Sequence, residues 1–244
     1  MSCLDTAVAA WMRAWAAGEV CAPDAAVEFD VLARDRFNQQ TSEIHAFGTY
    51  ARARGFATAT HQPAGALPMV PVSAYKRAVL YTAQAAATPV ARFETSGTTD
   101  GQPGVVQLAD AALYDLSLRA AFHHFVVPDA PLRLEAAPNA GPFRVISLVP
   151  NRSLRPHSSL GHMVDVIGHT WAEGPVHHVM GAAPDGTIRD TLDVIALREA
   201  LQVAVDSQTP VLLLTTSIAL HLLHEAWPTD VRLTLPAGSR LMDT

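Results

Sequence analysis

Phe143-Arg144-Val145-Ile146-Ser147-Leu148-Val149, the Pro150-Asn151 that closes it, the polar loop Arg152 to His157 and the following Ser158-Ser159-Leu160-Gly161-His162-Met163 decide the fold. The first run is almost continuously apolar, as a strand covered on both faces must be. Ser158 is placed to cap a helix that carries Leu160, Met163 and Ile167. Strand, polar loop and capped helix is the order that sets ligand-binding groups at the carboxyl end of a parallel strand.

The alternation continues downstream. Val176-His177-His178-Val179-Met180 reads as a strand, Asp193 to Val205 as a helix, Val211-Leu212-Leu213-Leu214-Thr215 as a strand, Ser217 to Trp227 as a helix and Arg240-Leu241-Met242 as a last strand. Strands alternating with helices predict an α/β fold with a largely parallel sheet over residues 61–244. Upstream the pattern is helical. Asp5 or Thr6 can cap a helix bearing Val8, Trp11, Met12 and Trp15 on one face; Asp24 can cap a second through Val27, Val31 and Leu32, and Ser42 a third with Ile44, Phe47 and Tyr50. A helical layer over 1–60 is therefore expected, joined by the proline-rich stretch His61 to Pro71 and followed, after Asp110, by a helix through Leu113, Leu116 and Ala120.

Composition narrows the function classes. With 49% hydrophobic and 16% charged residues the chain is globular, and a net charge of −6 gives no basic footprint for nucleic acid or an anionic membrane. The longest apolar run, Val211 to Leu223, is shorter than the ~20 residues of a membrane span. Cys3 and Cys21, the only cysteines, imply no disulfide framework, and a soluble, cytoplasmic protein is the expectation. His221 and His224 share a helix face, but no cysteine or carboxylate cluster lies at ligand spacing, H-E-x-x-H is absent and so is G-x-S-x-G. No metal site and no serine nucleophile are predicted.

Chemistry points instead to Phe93-Glu94-Thr95-Ser96-Gly97-Thr98-Thr99-Asp100-Gly101-Gln102-Pro103-Gly104, between the β-like runs Pro89 to Phe93 and Val105 to Leu108. Glycines let backbone amides converge on one concavity, and hydroxyls add donors for phosphate oxygens. The stretch lacks the lysine of G-x-x-x-x-G-K-[ST], so the nucleoside-triphosphatase loop is excluded. A solvated hairpin turn is the other reading of the same residues. Lys76, the only lysine, is either a solvated charge at a helix start or a cation near an anionic ligand.

Thr95-Ser96-Gly97-Thr98-Thr99 resembles the phosphate loop of adenylate-forming enzymes, the acyl-CoA synthetase and luciferase superfamily. Pro71 to Lys76, Ser158 to Val164 and Gly238-Ser239-Arg240-Leu241-Met242-Asp243-Thr244 are similar, in order and spacing, to the acyl-protein synthetases of bacterial fatty-acid reductase systems. The resemblance implies that residues 1–244 are a single, incomplete N-terminal domain with its phosphate loop at 94–104. It places ATP and Mg²⁺ at Thr95, Ser96, Gly97, Thr98, Thr99, Gly101, Asp243 and Thr244, and a fatty-acid pocket at Ser158, Ser159 and His162. The implied reaction is acyl-adenylate formation followed by acyl transfer to a protein cysteine, with a separate C-terminal half or an acyl reductase as partner. Neither Cys3 nor Cys21 matches the accepting cysteine. Asp100 stands where the superfamily has glycine, and Gln102-Pro103-Gly104 replaces Pro-Lys-Gly, which sets a negative charge beside the phosphates. The relatives continue past Asp243-Thr244, so a chain ending there is expected to be weak or inactive alone and to self-associate through exposed apolar surface. An acyl- or aryl-CoA ligase piece and a non-catalytic binding or scaffold protein that keeps the fold are the alternatives.

Overall fold

The computed structural model describes residues 2–20, 22–95, 103–181 and 191–244. The chain forms two compact units, Met1–Ser117 and Leu118–Thr244.

The first unit opens with three helices, α1 (Cys3–Ala16), α2 (Ala22–Glu43) and α3 (His45–Ala53). The cap of α1 is Ser2, one turn earlier than expected: its hydroxyl accepts from Asp5 N at 3.1 Å and Asp5 Oδ2 accepts from Ser2 N at 2.7 Å. Asp5 thus completes a reciprocal box rather than starting the helix. Burial alone would raise the Asp5 carboxyl; Arg36 at 2.6 Å and the Ser2 donors more than offset it and hold it at about 2. Asp24 falls inside α2, and Ser42 lies in its last turn with its hydroxyl donating to Gln39 O at 2.7 Å. The start of α3 at Ile44 has no side-chain cap. Phe37 packs edge-on to Phe47 and Phe56 over buried Ala51 and Ala59, whereas Val27 and Val31 stay exposed. Two 3₁₀ turns (Ala64–Ala66, Val72–Lys76) and α4 (Ala83–Ala87) lead to an antiparallel hairpin, β1 (Ala91–Glu94) and β2 (Val105–Leu108). The helix α5 (Ala112–Phe125) crosses the boundary between the units, its first amide bound by Asp110 Oδ1 at 2.8 Å.

The second unit is mixed α/β around a four-stranded parallel sheet. Its strands are β3 (Arg144–Ser147) and, after α6 (Ser159–Trp171), β4 (His177–His178). A short antiparallel pair follows, β5 (Met180–Gly181) with β6 (Thr191–Leu192), then α7 (Val194–Ser207), β7 (Val211–Thr215), α8 (Ser217–Ala226) and β8 (Arg240–Asp243). The sheet order is β4-β3-β7-β8. The run expected as one strand over 176–180 is split: Val179 N still donates to Ser147 O beside β3, but Val179 O accepts from Asp193 N and Met180 pairs with Leu192 of β6. Asp193 and Thr216 cap α7 and α8.

Every residue of β7 is buried, and alternate residues serve opposite faces. Leu212 and Leu214, with Val145, face Val164, Ile167 and Trp171 of α6. Val211 and Leu213, with Ile146, face Leu197, Ala200, Leu201 and Ala204 of α7 and Ala219 of α8. Two apolar layers on one strand explain why its sequence does not alternate. Among the described residues no helix is long and apolar enough to cross a membrane.

At the amino edge of the sheet Arg144 pairs with Glu173 at 2.9 Å, and its Nη1 lies 3.3 Å from His177 Nε2, a contact that requires a neutral imidazole. Burial first, then Arg144, lowers the His177 pKa, against the pull of Glu173. The unfolded chain therefore binds the proton more readily, and stability is lost as the pH falls below about 6.5. Urea unfolding between about pH 7 and about pH 5 is expected to show that loss, and His177→Gln to flatten it. Close approach fixes a second point: a Cβ on Gly141 would stand 1.9 Å from the Trp171 carbonyl. Gly141→Ala is expected to cost about 3 kcal/mol or more, read as a lower urea midpoint.

Candidate functional site

The hairpin of the first unit closes the glycine- and hydroxyl-rich loop at its base. Glu94 pairs with Val105, and beyond that pair Thr95 N donates to Gly104 O at 2.9 Å while Gly104 N donates to Thr95 Oγ1 at 2.8 Å. Thr95 is thus the latch of the loop, its hydroxyl oxygen taken up as an acceptor. Gly104 is buried, and a Cβ there would lie 3.1 Å from Tyr75 Cβ and 3.2 Å from Thr95 Oγ1. The 3₁₀ turn Val72–Lys76 therefore packs directly on the loop base, and half-buried Lys76 is the residue next to that contact. Ser96, Gly97, Thr98, Thr99, Asp100 and Gly101 lie outside the described residues.

In the second unit the chain runs from β3 to β4 on one side, returns past β3 to β7 and goes on to β8. The direction of winding reverses between β3 and β7, and in such sheets ligands sit outside the carboxyl ends at that reversal. Ser147 ends β3 fully buried, its hydroxyl accepting from Val149 N and donating to Val149 O, both at 3.1 Å. Asn151 Oδ1 then gathers Ser153 N at 3.0 Å and Leu154 N at 3.2 Å, which shapes the loop leading to α6.

The sequence-predicted acyl residues separate here by role. Ser158 Oγ accepts from Gly161 N at 2.9 Å and is the cap of α6. Ser159 is exposed on the first turn, and half-buried His162 presents Nδ1 3.4 Å from Arg152 Nη1. Arg152 also reaches Asp165 Oδ2 at 3.6 Å. The side chain lies across the helix start, because Gly161 leaves it room: a Cβ there would meet Arg152 Cγ at 3.1 Å. The sequence reading passed over Arg152 and Asp165; a base one residue past the strand-ending Pro150-Asn151 was the available signal.

On the far side of β7, Thr215 pairs with Asp243, so the end of β8 is level with the start of α8. Ser217 Oγ donates to Asp243 Oδ2 at 3.0 Å, and Ser217 N donates to Thr244 O at 3.4 Å. Asp243 and Thr244 are both exposed. From this pair a cavity of about 790 Å³ runs along α8, walled by Leu220, Leu223, Trp227, Val231 and Leu233, with His221 and His224 on it. His221 Nε2 lies 3.4 Å from Glu225 Oε1, and among the described residues no three metal-ligating side chains converge. Trp227 Nε1 donates to Val231 O at 3.2 Å and so ties the facing wall to the helix.

No family model, curated protein or solved structure matches this chain.

The two serines at the start of α6 make distinct predictions. Ser158→Ala is expected to cost about 1 kcal/mol of unfolding free energy through the lost cap, whereas Ser159→Ala is expected to stay within ~0.5 kcal/mol. Equal losses in urea titrations of the two variants would contradict the capping role.

Proposed function

We propose that the chain binds ATP and activates a fatty acid as its acyl-adenylate, in the manner of the acyl-protein synthetases its motifs resemble. The observation that carries this reading is the latched hairpin. Thr95 and Gly104 exchange two hydrogen bonds and so hold the ends of the loop in register on a β-hairpin. That anchorage supports a loop whose composition is suited to phosphate oxygens, since amides and hydroxyls bind an anion best when their backbone is fixed beforehand.

In this reading the loop from Thr95 to Gly101 receives the phosphates, and the start of α6 carries groups for the acid. Ser158 orders the helix, while Ser159 and His162 are the polar groups proposed for the carboxylate end of the acid. A carboxylate oxygen attacks the α-phosphorus, the bond to the β-phosphate breaks, and pyrophosphate departs with the electron pair. The chain's contribution is positioning and charge stabilisation. Magnesium is held by one or two carboxylates together with phosphate oxygens rather than by an all-protein cage. Asp243 fits that demand: among the described residues Ser217 engages one carboxylate oxygen, Oδ2, which leaves Oδ1 to meet a ligand. Bound magnesium would supply positive charge against the charge gathering on the phosphates. The acyl acceptor in this reading is a protein cysteine, as in the relatives that the motifs resemble.

Calorimetric titration of the chain with ATP and magnesium tests the proposal. Binding is expected in the wild type, and Thr98→Ala is expected to weaken it about tenfold, the loss of one hydrogen bond to a charged phosphate. A wild type that takes up no ATP overturns the reading.

A further inference from the structure

We propose that Ser217 is a positioning residue for Asp243 as a ligand of magnesium or of the nucleotide; the inference rests on the reading given under Proposed function. Ser217 opens α8 immediately beyond β7, and Asp243 is the last residue of β8. The parallel register that sets Thr215 opposite Asp243 brings the carboxylate level with the helix start. There Ser217 Oγ donates to Oδ2 at 3.0 Å.

Three observations distinguish this hydroxyl from an ordinary helix cap. Thr216 already caps α8, its side chain accepting from Ala219 N at 3.2 Å, so the Ser217 hydroxyl is not needed for that task. Ser217 is itself held in place, since its backbone N–H donates to Thr244 O at 3.4 Å. Both Ser217 and Asp243 line the ligand-sized cavity along α8. A carboxylate on an exposed edge strand would otherwise turn about its two side-chain torsions. The serine fixes one oxygen and so sets the direction of the other, Oδ1, the atom that would meet magnesium or a nucleotide hydroxyl. Fixing it beforehand removes the ordering cost that binding would carry.

The test is a set of Mg²⁺–ATP titrations by calorimetry on the whole chain, with a thermal melt of each variant. Ser217→Ala is expected to raise Kd about three- to tenfold, the range for one lost hydrogen bond, with little change in melting temperature. Ser217→Thr restores the wild-type value. Asp243→Asn weakens binding, and adding Ser217→Ala to it changes nothing further, because the serine acts through the carboxylate. Ser217→Asp favours the helix start yet sets a like charge beside Asp243, so it weakens binding while the fold is kept. If Ser217→Ala binds like the wild type while Asp243→Asn is weakened, or if the two losses simply add, the positioning role is overturned and the nucleotide reading stands. Wild-type binding that Asp243→Asn leaves unchanged overturns the role of Asp243, and this inference with it, while the loop keeps its place. Absence of any wild-type binding overturns both.

Discussion

Burial of β7 on both faces is the constraint on which the second unit depends. Five consecutive residues, Val211 to Thr215, are withdrawn from water. A strand at the edge of a sheet, or one bare on a face, could not achieve that. The requirement is met only if strands flank it and helices cover both sides, which is what β3, β8, α6, α7 and α8 do. The energies involved are large: truncating one buried leucine of such a strand to alanine costs about 2–5 kcal/mol, a sizeable part of a domain's whole stability. Thr215 is the one polar residue in the strand, and its hydroxyl is satisfied by Thr216 O at 3.1 Å.

The sheet also settles where polar groups gather. Parallel strands send all their carboxyl ends to one edge, and each helix that follows presents its amino end there. Ser158 and Thr216 are the caps at that edge, on opposite faces of the sheet. Arg152, His162 and Asp165 collect beside the first, and Ser217 and Asp243 beside the second. These polar groups stand at the edge where the β3–β7 reversal separates the two crossovers. The opposite edge, with Arg144, Glu173 and His177, holds an ion pair that secures the ends of β3 and β4.

The first unit obeys a different rule. Its helices are joined by a small aromatic cluster around Phe37, and its functional interest lies in a hairpin turn rather than in a sheet edge. There a Cβ at Gly104 would lie 3.1 Å from Tyr75 Cβ and 3.2 Å from Thr95 Oγ1, a close approach that favours glycine. Thr95 serves the same end from the other strand. Its hydroxyl oxygen holds the loop base, a role that composition alone could not separate from phosphate binding.

How much was legible follows from the range of each interaction. The strands at 144–147 and 211–215, the helices beginning after Ser158, Asp193 and Thr216, and the hairpin around the glycine loop were all readable, because apolar runs and caps are set by neighbours within a few residues. The capping of α1 by Ser2 and the split at Val179 were missed. The first offered several candidate caps within one turn, and the second follows from the pairing of Met180 with Leu192, a partner from outside the run. By itself, then, the sequence determined which segments are strands and helices and that they alternate into an α/β unit with a parallel sheet. Only the tertiary structure decided that Ser217 meets Asp243, that Arg152 lies over His162 and that Thr95 is a latch, since those pairings depend on strand register and close packing between distant residues, which no local pattern encodes.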